Sequence, residues 1–236
     1  MSDKNICFEL SETIRRNKIS TTEVCDIMNK TGSLEGVYPV GKGMYAAGQV
    51  KYVYAHSESN YHLHEQLANI EEDKIIFVDA IECEGRAVFG DLVSKYLLLY
   101  RNARAIVTNG MMRDANDLIK QSRNVWCAGF TPIGCHNVSV SVPDNIASLV
   151  EERKREFESA ILVCDDSGVA MITDDWINSN LASRLDFIEL QEDIWYFCID
   201  TLKWTTYETV ALKRYLDESE VLPPILRKRL LAHDFN

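Results

Sequence analysis

Two short runs carry residue types that can do chemistry together: Gly90-Asp91-Leu92-Val93 and Arg113-Asp114, with 21 residues between Asp91 and Arg113. Arg113 offers a planar, permanently charged fork suited to a carboxylate or an enolate oxygen. Asp114 is a hard oxygen ligand that suits Mg2+ or Mn2+ and their waters. Gly90-Asp91 opens a helix-like segment, and the first turn of any helix leaves backbone N–H groups without partners. Those of Leu92 and Val93, aided by the helix dipole, suit a small carboxylate or phosphate. Brought into one crevice, the two runs would hold an α-keto acid by its carboxylate and set a metal at its carbonyl.

The elements that must position these residues surround them. Ala103 to Thr108, rich in alanine and β-branched residues, reads as a buried strand; Asn109-Gly110 then turns the chain into a second helix start at Arg113-Asp114. Upstream, Cys7 to Asn17 reads as a short amphipathic helix, and Ser20 with Glu23 forms a capping box for a helix ending near Gly32. Gly36 to Val40 and Met44 to Tyr54 read as strands, His62 to Ile70 as a helix and Lys74 to Ile81 as a continuous apolar strand. The loop from Glu82 to Phe89 should line the crevice. Its Arg86 either reaches a second carboxylate of a dicarboxylic substrate or pairs with Glu82 or Glu84.

Further along, His136 to Val142 alternates with period two and reads as a strand, followed by a charged helix from Ile146 to Glu158 and strand from Ala160 to Ile172. Thr173 or Asp174 is expected to cap a long helix, with shorter helices at Thr206 to Asp217 and Pro224 to Ala232. The division expected is an α/β domain over 1–172 and a helical extension over 173–236. Trp195, Tyr196, Phe197 and Trp204 make that extension too apolar for a free tail, so it should pack on its own domain or on a neighbouring subunit.

Other metal-like groupings have plainer explanations. His62 and His64, two apart on a helix, point in different directions, whereas a helical metal pair needs a spacing of three or four. Asp165-Asp166-Ser167-Gly168 is accounted for by a tight turn. The seven cysteines are scattered and never spaced as C-x-x-C, which favours reduced core residues over a disulfide framework or zinc site.

Composition bounds the partners. A chain of 236 residues, 46% hydrophobic, can bury a full core, and it contains no run of eighteen apolar residues. The N-terminal residues have no apolar signal region, so a cytoplasmic location and no membrane partner are expected. Against 25 Lys and Arg stand 36 Asp and Glu, a net charge of −11, which disfavours nucleic acid as a partner.

Gly90-Asp91-Leu92-Val93 and the Gly110-Met111-Met112-Arg113-Asp114 context resemble the two halves of the RraA-like family pattern. That family contains the class II 4-hydroxy-4-methyl-2-oxoglutarate aldolases and the regulators of ribonuclease E activity. Thr21 to Met28 resembles its opening helix, Val125 to Pro132 its second strand and turn, and Asp165 to Val169 its Asp-x-Asp-Gly-Val hairpin. The spacing of 21 is one residue longer than usual in the aldolases, with the extra residue expected near Tyr100 to Ala103, where Asn102 replaces a helix-ending Gly. Gly48-Gln49-Val50 lacks the family's usual Thr.

The resemblance implies a swivelling β/β/α sandwich with a C-terminal helical extension, assembled as a trimer or hexamer with its active site at a subunit cleft. It implies a divalent-metal-dependent lyase acting on a 4-hydroxy-2-keto acid, with oxaloacetate decarboxylation as a side activity. Arg113 and Asp114 would be catalytic and Asp114 the metal ligand. Gly90, Asp91, Leu92, Val93, Arg113 and Arg86 would bind substrate. A metal-bound water is the simplest general base, since Lys203 or Trp204 stands near the point where some family aldolases supply an acidic residue from a neighbour's tail. The alternative is a non-catalytic regulator that binds an RNA-processing enzyme; the family regulators lack the Asp of the Arg-Asp pair.

Overall fold

The computed structural model describes residues 3–233, which divide between Ser179 and Asn180 into two compact units. The first unit opens with α1 (Asp3–Asn17) and α2 (Thr21–Ile27). The capping box forms: the Ser20 hydroxyl accepts the Glu23 N–H at 3.2 Å, and the Glu23 carboxylate accepts the Ser20 N–H at 2.7 Å. Glu23 is thereby a structural residue, and Asp26 pairs with Lys30 one turn on.

The chain continues through β1 (Tyr38–Pro39), β2 (Ala46–His56), α3 (Tyr61–Leu67), β3 (Ile75–Ile81) and β4 (Ala87–Phe89). Then come α4 (Asp91–Lys95), β5 (Ala105–Thr108), β6 (Met111–Met112), α5 (Ala115–Lys120), β7 (Val125–Cys127) and β8 (Gly129–Phe130). α6 (Asp144–Glu158), β9 (Ile161–Asp165) and β10 (Gly168–Ile172) complete the strand-bearing part.

Seven strands form one sheet in the order β1-β7-β5-β3-β2-β9-β10. Its centre, β7-β5-β3-β2, is parallel, and antiparallel pairs close both flanks. β3 shows why it reads as an unbroken apolar run: Ile75 and Phe77 enter one core, Ile76 and Val78 the other, so both faces are buried. Ile146, Val150 and Phe157 of α6 fill the first core, with Leu63 and Leu67 of α3 in the second.

A second sheet, β4-β6-β8, is small and wholly parallel: Ala87 and Phe89 pair with Met111 and Met112, which pair in turn with Gly129 and Phe130. It corrects the expectation that Glu82 to Phe89 is all loop. Strands of two or three residues carry no periodicity; their partners, far away in sequence, make them strands.

Three further expectations are corrected. His136 to Val142 is not a strand; its carbonyls at Val138 and Val140 meet the Ser59 hydroxyl at 2.6 Å and the His62 ring at 2.8 Å, so side chains replace a ladder. The helix expected from Thr173 is a 3-10 turn at Asp174–Trp176, after which α7 (Ser179–Asp200) begins. Thr206 to Asp217 is not one helix but a π turn at Tyr207–Ala211 and a 3-10 turn at Arg214–Leu216.

The second unit has its own core of Leu190, Ile194, Cys198, Tyr215, Leu222 and Leu230, drawn from α7, the turns and α8 (Pro224–Ala232). Trp195, Phe197 and Trp204 pack around it, while Tyr196 is exposed. The Arg214 guanidinium lies 4.4 Å from the centre of the Trp204 ring, a cation–π contact.

Candidate active site

The small parallel sheet brings the two halves of the site together. β4 ends at Phe89 and leads directly into Gly90 and α4; β6, its neighbour, ends at Met112 and leads directly into Arg113-Asp114. Because the strands are parallel, their carboxyl ends open on the same side, where irregular backbone is free to meet a ligand. The Arg113 N–H donates to the Phe89 carbonyl at 3.2 Å, and the Asp91 N–H donates to Asp114 Oδ2 at 3.1 Å.

Asp114 adopts a left-handed backbone conformation, φ 62°, which Asp and Asn tolerate better than other side-chain-bearing residues. It stands at the cap position of α5, yet its carboxylate makes no capping bond to that helix. Instead it crosses to the start of α4. Both of its close contacts fall on Oδ2, with Arg113 Nε at 3.8 Å, so Oδ1 remains for an external ligand. The Arg113 and Asp114 side chains are 54% and 43% exposed.

Gly90 is required by close approach: a Cβ there would lie 2.1 Å from Asp114 Oδ2 and 2.8 Å from Arg113 Cγ. Leu92 and Val93 follow in the first turn of α4, where their N–H groups have no carbonyl four residues back within the helix. The Leu92 side chain is 81% exposed, and with Val93, Tyr96, His64, Leu67 and Ala68 it lines an apolar groove of about 380 Å3. α4 runs into a π turn at Tyr96–Tyr100 and ends before Asn102, which takes a left-handed φ of 51°. A π turn carries one more residue per hydrogen-bonded loop than an α turn, and this one lies between Asp91 and Arg113.

Arg86 pairs with neither Glu82 nor Glu84. Its Nε lies 3.0 Å from Glu58, and it donates to the Gly134 carbonyl at 3.2 Å. Sequence reasoning missed Gly134, which takes part through backbone proximity: a Cβ there would lie 2.9 Å from the Arg113 guanidinium. It also missed Arg123, a buried guanidinium 3.8 Å from Asp91 and bonded to Gln121 at 2.5 Å. No local pattern marks either residue.

The plainer readings of the other polar groups hold. His62 bonds Glu65 and the Val140 carbonyl and stacks on His56. Asp165 accepts from the Thr21 N–H, the Thr21 hydroxyl and the Ser167 N–H, and Asp166 accepts from the Gly43 and Met44 N–H groups. Among the described residues no group of three or more His, Cys, Asp or Glu side chains is placed to hold a metal ion. Asp114 offers a lone carboxylate, a hard oxygen donor of the kind that suits a cation keeping most of its waters. No helix of the described residues is long and apolar enough to cross a membrane.

No curated protein matches the chain. Solved structures do. An uncharacterized protein from Pseudomonas syringae pv. tomato shares 18% identity at a TM-score of 0.59, over 77% of this chain and 84% of that one. Streptomyces coelicolor RraAS2, described as an unusual member of the RNase ES inhibitor RraA protein family, shares 20% at 0.59, over 78% and 96%. A Geobacillus kaustophilus protein named S-adenosylmethionine:2-dimethylmenaquinone methyltransferase shares 18% at 0.51, over 66% and 96%. At such identities these likenesses speak to the fold alone. The family model for Aldolase/RraA matches residues 21–171, the stretch that holds both sheets and the Gly90/Arg113 crevice, and on that match the chain belongs to the RraA-like family.

Proposed function

We propose that this protein is a divalent-metal-dependent carbon–carbon lyase that cleaves a 4-hydroxy-2-keto acid to release pyruvate, with oxaloacetate decarboxylation as a side activity. The observation that carries the reading is the meeting of Asp114 with the start of α4, 3.1 Å from the Asp91 N–H, beside a half-exposed Arg113. A carboxylate and a guanidinium, both partly exposed, thus stand at the start of the helix that carries the Leu92 and Val93 N–H groups.

In this reading the Leu92 and Val93 N–H groups bind the substrate carboxylate, and Gly90 keeps the approach clear. Asp114 would hold Mg2+ or Mn2+, and the cation would supply Lewis-acid polarisation of the keto oxygen. Cleavage passes the 4-hydroxyl proton to a water molecule and breaks the bond between carbons 3 and 4. The bonding pair stays on the pyruvate fragment as an enolate, which is then protonated on carbon, and the other fragment leaves as a carbonyl compound. Arg113 donates to the enolate oxygen, where negative charge develops. Arg86, held by Glu58 and by the carbonyl of Gly134, which itself lies against Arg113, is a candidate for a distal carboxylate.

The exposed apolar side chains Leu92, Leu99 and Tyr100, next to an open site, favour assembly of several copies, a trimer or hexamer, with a neighbour walling the crevice.

The test is pyruvate release from a panel of 4-hydroxy-2-keto acids and oxaloacetate, by protein whose assembly is fixed by sedimentation. Activity should require Mg2+ and vanish in EDTA. Arg113→Lys keeps charge but loses the fork, so turnover should fall about ten- to a hundredfold, roughly 1.5–3 kcal/mol. Asp114→Asn tolerates the left-handed backbone but loses the anionic ligand, so it should cost more, chiefly in metal affinity. Full activity in chelator, or unaltered activity in both variants, would refute the assignment. Turnover of no keto acid at all would give way to the regulator reading.

A further inference from the structure

The outer edge of β2 is paired for only part of its length. β9 runs alongside Ala46 to Gln49, whereas β3, on the other side, runs alongside Val50 to His56. Past Gln49 the outer edge pairs with no strand among the described residues. α3 packs on one face of the sheet through Leu63 and Leu67, and α6 on the other through Val150 and Phe157. Residues of both helices and of β2 border a cavity of about 460 Å3, among them Tyr52, Gln66, Asn69, Glu151 and Lys154.

Backbone polar groups along a strand point alternately to its two sides. The Ser57 N–H donates to the Ile81 carbonyl of β3 at 3.1 Å, so odd-numbered residues face β3. Even-numbered residues face the outer edge, where the His56 N–H donates to the Ser59 carbonyl at 3.2 Å. One step back, the Gln66 amide takes both backbone groups of Tyr54: its Oε1 accepts the N–H at 3.2 Å and its Nε2 donates to the carbonyl at 2.9 Å. Tyr52 is next in that series, so its N–H and carbonyl point toward the cavity that it borders. Among the described residues no protein group bonds to either. Tyr52 is buried, and a buried backbone donor and acceptor of this kind must be satisfied from the cavity.

The Gln66 carboxamide shows which chemistry fits this edge: one acceptor and one donor on a single carbon, laid against one strand residue. Two residues along a strand span about 6.6 Å, which leaves a second carboxamide its own place at Tyr52. A peptide strand does not fit, because it would also need the Tyr54 groups that Gln66 holds. The α6 wall adds charge. Glu151 and Lys154 lie three apart, on one side of the helix, and both border the cavity. The ion pairs that α6 makes among the described residues belong to others, Glu158 with Lys51 at 2.8 Å and Arg153 with Asp79 at 2.7 Å. A carboxylate and an ammonium side by side, each without an ion-pair partner, suit a zwitterion. We propose that the cavity binds a free α-amino acid with a carboxamide side chain. Its amide lies on the Tyr52 backbone, its α-ammonium at Glu151 and its α-carboxylate at Lys154. The cavity shares no lining residue with the Gly90/Arg113 crevice, and the assignment does not depend on the lyase reading.

The experiment titrates the full-length protein, isotope-labelled at tyrosine, with L-glutamine and L-asparagine, by calorimetry and NMR. Binding should be saturable, and the Tyr52 amide should shift and exchange with solvent at least about tenfold more slowly. The Tyr54 amide, already held by Gln66, should keep its exchange rate. L-Glutamate lacks the amide donor and should bind at least about tenfold more weakly. Glu151→Ala and Lys154→Ala, at exposed positions, should each weaken binding about three- to tenfold without altering thermal unfolding. No saturable binding of either amide up to about 10 mM would overturn the proposal. Binding that leaves the Tyr52 amide unmoved, or that both alanine variants retain in full, would place the ligand elsewhere and overturn it too. Equal affinity for L-glutamate would remove the amide from the recognition, and equal affinity for uncharged propionamide would remove the zwitterion; either result rejects the amino-acid assignment.

Discussion

Two of the Arg–Asp pairs in this molecule look alike on paper and are opposite in kind. Asp79, on β3, is fully buried, and its oxygens are all spoken for. It accepts from Arg153 at 2.7 and 2.8 Å, from the Tyr52 hydroxyl at 2.7 Å and from Asn109 at 2.8 Å. Asp114 is half exposed, stands 3.8 Å from Arg113, and has one hydrogen bond to a backbone N–H. A saturated buried carboxylate fixes α6 and the Asn109 turn to the sheet and has nothing left to offer a ligand. An unsaturated one at a strand end has its chemistry still available. Partner count and exposure, more than residue type, separate the pair that holds the fold from the pair that can act.

That contrast can be broken where the effect should be largest. Arg153→Met removes the cation from a buried carboxylate and leaves Tyr52 and Asn109 to support it alone. Breaking a buried pair from one side typically costs about 3–5 kcal/mol, and the partial exposure of Arg153 puts the expectation at the lower end. Urea unfolding measures it; a loss below about 1 kcal/mol would mean that the Arg153–Asp79 pair does not hold the fold. Burial of Tyr52 pushes its hydroxyl up, and the charge of the neighbouring Asp79 adds to the shift, so Tyr52 stays a donor throughout the useful pH range.

The exposed pair should respond in the reverse sense. Gly90→Ala places a Cβ against Asp114 Oδ2 and Arg113 Cγ, both on exposed side chains that can swing away at little expense to stability. Their displacement should instead lower turnover by about a hundredfold, equivalent to roughly 2.7 kcal/mol of transition-state stabilisation. Kinetics and thermal unfolding on the same preparation check it; a protein that unfolds readily yet keeps its turnover would reverse the roles assigned to the two pairs.

A third cluster sharpens the comparison by lying between them. Arg104, mostly buried, bridges Glu12 and Asp73, each at 2.6 Å. The Glu12 carboxyl is held down to about 2, from an ordinary value near 4.5, first by its hydrogen bond from Arg15 and then by Arg104. A depressed folded-state pKa stabilises above the unfolded value and loses that stabilisation as pH falls. The contribution should therefore be complete above about pH 4.5 and gone below about pH 2. Screening of these partly exposed groups keeps it under about 1 kcal/mol. Comparing Glu12→Gln with the unmodified protein across pH 2 to 5 by chemical unfolding checks it; the difference should vanish at the acid end.

Much of the fold was legible in residue order. The run Ile75-Ile76-Phe77-Val78 has to be a strand buried on both faces, because no surface would take four large apolar side chains pointing both ways. Ser20 and Glu23 declare a helix start, and Asp165 to Gly168 a hairpin, because their hydrogen bonds close within four residues. The types at Gly90, Arg113 and Asp114 were equally plain. His136 to Val142 misled because alternation records the shape of a strand without recording whether a partner strand exists; here Ser59 and His62 take the place of one.

The sequence by itself determined which residues could act: a fork, a hard carboxylate and a helix start, each a property of residue type and local spacing. The tertiary structure alone decided that they meet, through parallel pairing of β4 with β6 across more than twenty residues. It also decided that Arg86 answers to Glu58 and that Gly134 lies against Arg113. These contacts join segments distant in the chain through two- and three-residue strands and irregular loops. Such segments have no periodicity of their own, and their conformation is set by the partners they find only once the chain has folded.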